Sequence, residues 1–471
     1  MLKLIIEKEL REIIGSTKFA ITFAVCATLI LLSFFVGAKN YKLSASQYDA
    51  AKAENMRQMK GLTDWMMLRN HRIFLPPGPL EALVTGVSSD IGRTVKVQGR
   101  GELASQDSRF NSDPIFAVFR FLDLNFIFQI VLSLFAILFM YDAINGEKEK
   151  GTLKLSFANA IPRDQYILGK ILGGFLALTI PLLIPILLGC LFLPLLGVSL
   201  SSEEWLRLAG VLFAGLLYFG VFLTLSIFIS ALTKRSSSSF LFLLVIWIFV
   251  VLIIPRSSVL IAGRAVDVPS VDEIASQKNR FISQLWKEDR DKMGNFKPDP
   301  TEEPGKIMEQ FNKFMQDLAD EREKQTLEFA GKLNEERRNR QAVQEKLAFT
   351  IARISPTATF SLVATNLANT SIRLGQHFVN EATNYQKSYA RFIKEKTGMN
   401  MGGHVMMFRM IDDEQEEPEA IDPHELPEFQ YNDMRLNKTT GAIAVDFGIL
   451  AFFNLVFFMG AFVAFLRYDV R

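Results

Sequence analysis

The chain has 471 residues, of which 49% are hydrophobic and 41 are phenylalanine. Its formal net charge of +2 argues against a basic nucleic-acid-binding surface. The two cysteines, Cys26 and Cys190, lie inside apolar runs, so the polar segments contain no disulfide. We therefore expect an integral membrane protein with large polar parts and no nucleic-acid partner.

The first segment, residues 1–18, is amphipathic. Apolar residues at helical spacing form one stripe along it: Leu2, Ile6, Leu10, Ile13 and Ile14. Because an apolar run follows directly, the segment predicts a helix lying in the membrane interface and contacting lipid, with a soluble amphipathic helix as the alternative.

Six apolar runs follow, each close to the roughly 20 residues that cross a bilayer as a helix. We place the transmembrane helices at 19–38, 124–141, 167–198, 206–232, 240–262 and 443–466. In the fifth, the end at Ser257–Ala262 is expected to dip back into the membrane. The prolines of the third, Pro181, Pro185 and Pro194, predict kinks.

Lysine and arginine are concentrated in one set of short polar stretches: 1–18, 142–166, 233–237 and 467–471. These stretches carry twelve basic residues, whereas the loop 199–205 carries none. By the positive-inside rule both ends of the chain are expected in the cytosol. The two long polar segments, 39–123 and 263–442, are then expected on the extracytoplasmic side.

Both long segments are predicted to be mainly helical. The first contains a polar helix around 44–67 and a short strand at 94–98, where the residues alternate. The second contains helices at 268–293, 305–354 and 357–396, the middle one being one long helix or two stacked ones. Its alternating charges fit either a coiled-coil partner or packing within its own domain.

Residues 398–440 have an unusual composition. Methionines cluster over 399–410, and acidic residues dominate 412–428. The acidic run fits a solvated loop, or a site for a cation or a basic partner. The methionine cluster fits a soft packing surface or a copper site.

Catalytic motifs are missing from the sequence. The stretch Leu168–Ile171 lacks the leading glycine and the hydroxyl of an ATP-binding P-loop, so this chain is not expected to hydrolyse ATP. Asp142 and Asp446 fall at opposite ends of their spans, which argues against an intramembrane aspartyl protease. We expect no catalytic residue, no metal and no cofactor in this chain. Since the span centres nearly lack charge, the energy for any transport must come from elsewhere.

The polar loop between the second and third spans carries a recognisable pattern. It reads Gly-Glu-Lys-x-x-Gly-Thr-Leu, then Pro-Arg, then Leu-Gly-Lys at the head of the next span. This pattern resembles the cytosolic loop of ABC-2-type permeases, the membrane subunits of ABC exporters. The resemblance implies an ATPase-coupling loop formed by Gly146, Glu147, Lys148, Glu149, Gly151, Thr152, Leu153, Pro162, Arg163 and Lys170. An ordinary positive-inside loop is the alternative.

A second resemblance is to an ABC-2 subfamily with large insertions after the first and fifth spans. The residues that carry it are Pro79–Gly86, Ser355-Pro356, Leu367–Thr370, Phe378 and Tyr385. The sequence departs from this pattern at Asn369, where glycine is common, and this leaves the local turn open.

The resemblance implies a permease in the cytoplasmic (inner) membrane of a bacterium, paired with a separate ATPase subunit that binds ATP and magnesium. It also implies a homodimer or a pair with a related permease. The alternative function is a mechanotransmission or anchoring complex whose extracytoplasmic segments act on an envelope protein, without bulk transport. The sequence does not identify substrate-binding residues.

Overall fold

The computed structural model describes residues 1–65, 68, 71–88, 90–98, 103, 105–106, 123–158, 161–297, 304–397, 420–434 and 440–467. Helices make up most of this part of the chain, and the strands within it form one small sheet. Six of the helical stretches are long and apolar enough to cross a membrane. The predicted class, an all-α integral membrane protein with six spans, is therefore confirmed.

The spans extend beyond the apolar runs into polar sequence. The first span is α2 (Thr17–Met59). The second span consists of four consecutive pieces: α3 (Leu124–Phe126), a π-helical turn (Ile127–Leu132), α4 (Ser133–Met140) and α5 (Asn145–Glu149). The others are α7 (Arg163–Leu195), α8 (Ser202–Leu232), the pair α9 (Ser236–Trp247) and α10 (Ile254–Ala265) joined by π-helical Ile248–Ile253, and α15 (Thr440–Leu466).

The remaining elements flank these spans. The helices are α1 (Leu2–Ile14), α6 (Thr152–Ala158), α11 (Val271–Gly294), α12 (Pro304–Ala352), α13 (Pro356–Leu367) and α14 (Arg373–Thr397). The antiparallel sheet has the order β1 (Arg72–Phe74), β2 (Thr94–Lys96), β3 (Ser105–Gln106), with Ile73 opposite Val95. The strand predicted near residue 94 is confirmed. We call the face of the bundle that carries α5 and α6 the loop face.

Helix α8 lies at the centre of the bundle. Its Tyr218 is fully buried, donates a hydrogen bond to the Gln129 carbonyl oxygen at 2.9 Å, and stacks on Phe360 with ring centroids 5.1 Å apart. Gly215 lets the second span approach closely, because a Cβ there would lie 2.4 Å from the Phe128 ring. Small residues and aromatic rings therefore fit together as in other tightly packed helical membrane cores.

The first span does not end where its apolar run ends. Helix α2 continues without a break to Met59, so the polar helix predicted around 44–67 is the last part of the same helix and ends earlier than predicted. Met59 joins a second hydrophobic core with β1, β2 and α14, in which Phe378 and Tyr389 are fully buried. The polar segment 39–123 is thus anchored by a helix that emerges directly from the bundle.

The re-entrant turn predicted at Ser257–Ala262 is wrong, because the fifth helix runs on to Ala265. The segment that re-enters the bundle is α13 instead. Ser355, its N-cap residue, donates a hydrogen bond to the Val250 carbonyl oxygen at 2.6 Å, and Thr357 lies 3.1 Å from the Tyr218 hydroxyl. Since Val250 and Tyr218 lie near the middle of their spans, α13 begins deep inside the bundle.

The single helix predicted at 357–396 is broken in two. Asn369 has a φ of +57° between α13 and α14. Asparagine adopts this left-handed conformation more readily than other residues with a Cβ, so it replaces the common glycine without disrupting the turn.

Helices α11 and α12 form a long hairpin, which we call the arm. Helix α12 is one uninterrupted helix of 49 residues, about 74 Å long. Phe281 stacks on Phe329 at 4.2 Å between ring centroids, and Arg322 pairs with Asp289 at 2.6 Å. The long helix therefore packs within its own chain, as one of the two sequence alternatives predicted.

The methionine cluster at 399–410 and the first part of the acidic run lie outside the described residues. The described part of the acidic run forms ion pairs with two lysines. Glu425 lies 2.5 Å from Lys396, and Glu428 lies 2.8 Å from Lys52. This part of the run therefore follows the surface of the second core.

Candidate coupling site

Residues 142–158 and 161–170 form a folded helical loop. Helix α5 is joined to α6 at Gly151, whose φ of +72° suits glycine and where a Cβ would meet nothing within 4 Å. Pro162 is the N-cap residue of α7, and Arg163 donates a hydrogen bond to the Leu466 carbonyl oxygen at 2.8 Å. The loop is thus tied to the end of the sixth span.

Glu147 lies at the centre of a charge cluster. Its side chain is nearly buried, and Oε1 accepts hydrogen bonds from Lys170 Nζ at 2.8 Å and from Lys8 Nζ at 2.6 Å. Oε2 accepts a hydrogen bond from the Tyr166 hydroxyl. Lys170 Nζ also lies 2.9 Å from Glu9 Oε1. Two carboxylates and two ammonium groups from three elements therefore neutralise one another.

The cluster depends on a close contact between α1 and α7. At Gly169 a Cβ would lie 2.6 Å from Ile5 Cγ2, and at Gly173 it would lie 2.8 Å from Glu9 Cβ. These glycines let α1 lie directly on α7 and bring Glu9 against Lys170. The buried face of α1 contains Ile5, Glu9 and Ile13, whereas Ile14 of the predicted stripe is 43% exposed.

A second cluster joins the loop to the fourth and fifth spans. Asn145 is fully buried and donates a hydrogen bond to Thr233 Oγ1 at 2.9 Å. Its Oδ1 accepts a hydrogen bond from Ser230 Oγ at 3.1 Å. Glu149 accepts hydrogen bonds from the Ser236 backbone N–H at 3.0 Å and from the Ser236 hydroxyl at 2.7 Å. The loop therefore caps the first turn of α9.

The other predicted coupling residues support these two clusters. Leu153 is fully buried in the core, and Thr152 donates a hydrogen bond to the Glu147 carbonyl oxygen at 3.1 Å. A Cβ at Gly146 would lie 3.1 Å from Asp142 Cβ. Lys148 is half-buried within α5. On α6, Leu155 faces outward and is 69% exposed, which leaves an apolar side chain on the loop face.

Sequence reasoning missed several residues of the site. Lys8, Glu9 and Tyr166 contact Glu147 or Lys170. Asn145 joins the loop to the end of α8. Each of these residues lies outside the recognised pattern. A signal was available for Glu9, because it follows Ile5 by four residues and precedes Ile13 by four, on the same helix face.

The carboxylate cluster is an ion-pair site. Oxygen atoms of Glu9, Glu12 and Glu147 lie within 4.8 Å of one another, a spacing that could hold a metal ion. The ammonium groups of Lys8 and Lys170 already contact these oxygens, so they supply the positive charge that a metal would bring.

The fold and this site define a multi-pass helical membrane protein with a structured polar loop between its second and third spans. A family model described as ABC-2 family transporter protein matches residues 4–470. The chain belongs to this family, as its loop pattern predicted.

Two curated relatives share part of the sequence. Both are named "Probable ABC transporter permease protein NosY". The protein from Stutzerimonas stutzeri is 34% identical over 125 residues, and the one from Pseudomonas aeruginosa is 35% identical over 124 residues. Each match covers 26% of this chain and 45% of the relative, so the chain spans less than half the length of these relatives.

Proposed function

We propose that this protein is the permease subunit of an ABC exporter, and that residues 142–170 dock a separate ATPase. The observation that carries the proposal is the buried pair of Glu147 and Lys170, which ties α5 to α7. A loop must be rigid to pass displacement from an ATPase to the spans. Exposed Leu155 on α6 supplies an apolar contact for the ATPase surface.

The loop face is assigned to the cytosol, because the basic residues of the short loops gather there. The polar segments 39–123 and 263–442 are then extracytoplasmic, except for α13, which begins inside the bundle. Both relatives come from bacteria, which supports the inner membrane of a bacterium as the location. ATP and magnesium bind in the partner ATPase, and this chain contributes no catalytic group.

Large apolar side chains on α2, on α9 and the π-helical turn after it, and on α15 face outward. Among them are Phe35, Phe242, Phe249, Phe452 and Leu455, each more than half exposed. In a bilayer these faces contact lipid or a second permease, either another copy or a related chain. The transport pathway then lies between the two permeases, as the family resemblance implies.

The arm supports a second candidate function. It is a long helical hairpin on the side of the bundle opposite the loop face, and a simple exporter does not need it. In this alternative, ATP-driven motion of the arm acts on an envelope protein and no compound crosses the membrane. Measuring flux of candidate compounds into inside-out vesicles separates the two functions.

The docking proposal is tested by purifying the tagged chain from native membranes in mild detergents and assaying ATP hydrolysis. We expect an ATPase subunit to co-purify, and Glu147→Ala to reduce its recovery at least several-fold. The matched control is Glu7→Ala, an exposed carboxylate on α1 that lies 2.7 Å from Arg11 and outside the charge cluster. Failure of any ATPase to co-purify with the wild-type chain overturns the proposal.

A further inference from the structure

We propose that the fifth span, α9–α10, is the lever that carries displacement from the coupling loop to the arm, and that Glu149 and Asn145 are the positioning residues that attach it to the loop. This inference rests on the proposed function. It assigns a distinct role to one span, whereas docking of an ATPase alone concerns only the loop.

The attachment replaces a missing helix cap. Arg235 is the N-cap residue of α9 and makes no side-chain capping hydrogen bond. Glu149 supplies the acceptor instead, since its two carboxylate oxygens bind the Ser236 N–H and hydroxyl. A negative charge at a helix N-terminus is electrostatically favourable. The coupling loop and the fifth span are therefore joined by the kind of contact that normally stays within one helix.

Asn145 determines where this attachment applies a displacement of the loop. It is fully buried, and its side chain contacts Ser230 and Thr233 at the end of α8 and the Ser236 hydroxyl at 3.3 Å. A displacement of α5 is therefore applied at the junction between the fourth and fifth spans. Helix α8 is held by close packing in the centre of the bundle, so the fifth span is the element free to respond.

The fifth span is loosely packed on its outer face. Leu241, Phe242, Val245 and Phe249 are each more than half exposed. Near its middle it is held by two hydrogen bonds, from Trp247 Nε1 to Ser133 Oγ at 2.8 Å and from Ser355 Oγ to the Val250 carbonyl oxygen at 2.6 Å. These contacts lie at the π-helical turn. They form a fulcrum about which the two ends of the span can tilt.

The far end of the span is fixed to the arm. Val259 and Ala262 of α10 pack against Ala348 of α12 in a small buried cluster. The connection to α11 is braced by three side chains of α12, which donate hydrogen bonds to backbone carbonyl oxygens: Gln344 to Val266 at 3.2 Å, Arg340 to Asp267 at 3.2 Å and Arg337 to Pro269 at 3.1 Å. Tilting of the span therefore turns the arm with it.

The arm itself is stiff enough to transmit this movement. Besides the Phe281–Phe329 stack, the Arg322 guanidinium lies 3.7 Å from the Trp286 ring centroid. Near the far end of the hairpin, Phe296 packs on Phe314 with centroids 5.0 Å apart. Contacts along the length of the hairpin keep the two helices together, so a small tilt of the span becomes a large displacement at the tip.

The test measures the distance between spin labels at Lys287→Cys in the arm and Lys387→Cys in α14. The chain is reconstituted with its ATPase in lipid nanodiscs, and distances are compared without nucleotide and with ATP plus vanadate. We expect a nucleotide-dependent shift in the wild-type background, reduced by more than half in Glu149→Ala and in Ser236→Ala. The control Lys150→Gln changes an exposed charge of the same loop and should keep the wild-type shift.

The variant Ser236→Thr distinguishes loss of the contact with Glu149 from a general loss of stability. It keeps the hydroxyl and should restore the distance shift that Ser236→Ala loses. Equal shifts in the wild type, Glu149→Ala and Ser236→Ala overturn the lever, and so does a wild-type complex whose arm does not move while ATP is hydrolysed. Either result leaves ATPase docking intact, whereas failure of the wild-type chain to recruit an ATPase rejects the proposed function itself.

Discussion

Glu147 and Lys170 form an ion pair of 2.8 Å inside the protein, with residue exposures of 8% and 3%. One residue belongs to the polar loop and the other to the third span. The pair joins them at the position where α1 also contributes Glu9. The loop is therefore part of the folded core of the protein.

The first prediction concerns this ion pair. Lys170→Met leaves Glu9 and Glu147 buried with only the half-exposed Lys8 beside them. Removing one partner of a buried pair typically costs about 3–5 kcal/mol, so we expect a clear fall in thermal stability in detergent. Lys154→Met, at an exposed position of α6, is the control. Equal melting temperatures for the two variants would show that the pair does not hold the loop.

The second prediction concerns the contact between α1 and α7. Gly169→Ala places a methyl group 2.6 Å from Ile5 Cγ2, and overpacking of this kind costs roughly 1–3 kcal/mol. Gly331→Ala is the matched control, because its Cβ meets nothing within 4 Å and alanine favours a helix by about 1 kcal/mol. The midpoint of unfolding, followed by tryptophan fluorescence, should fall for Gly169→Ala and rise for Gly331→Ala.

The third prediction is a pH dependence caused by His71. Burial lowers the pKa of this imidazole from 6.5 to about 4. The unfolded chain therefore binds a proton between these values while the folded chain does not. The stability that neutral His71 contributes is complete above about pH 6.5 and is lost as the pH falls towards 4. The loss amounts to about 3 kcal/mol over this interval.

Comparison with His71→Gln isolates this effect. Burial also raises the pKa of Asp123 to about 6, which stabilises the fold as the pH falls and so opposes the histidine. The difference in unfolding free energy between the wild type and His71→Gln should change with pH between 6.5 and 4. A pH-independent difference for His71→Gln would contradict the assignment.

The fourth prediction concerns the turn between α13 and α14. Asn369 has a φ of +57°, so Asn369→Ala should cost about 1 kcal/mol, whereas Asn369→Gly should be tolerated. Denaturant unfolding of the two variants gives the comparison directly. Greater stability of the alanine variant would show that the left-handed conformation is absent.

Much of the fold follows from the sequence, because the thickness of a bilayer fixes the length of an apolar helix. The six spans are therefore predictable. The long helix α12 was predicted on a different ground, the alternating charges along 305–354. Residues 357–396 were predicted to be helical, but the burial of α13 inside the bundle was not predicted, because its threonines and serines look like solvent-exposed residues. Thr357, Thr359 and Ser361 are all buried between spans. Polar side chains that bond within a helix bundle leave no signal in hydropathy.

The candidate site was predictable only where residues belong to a contiguous pattern. Glu147 and Lys170 were found, since both lie in the loop motif. Glu9 was not, because its partner lies 161 positions away and is reached only when Gly169 and Gly173 let the helices touch. The capping of Ser236 by Glu149 likewise depends on how two loops meet in space.

The most direct test of the account is site-specific cross-linking of the chain to its ATPase. A photoreactive group at Leu155 on α6 should capture the ATPase in intact bacterial cells. The same group at Lys287, in the arm on the opposite side, should not. Capture at Leu155 alone places both the ATPase and the coupling loop in the cytosol. Capture at Lys287, or no capture at Leu155 while an ATPase co-purifies, would contradict the central claim.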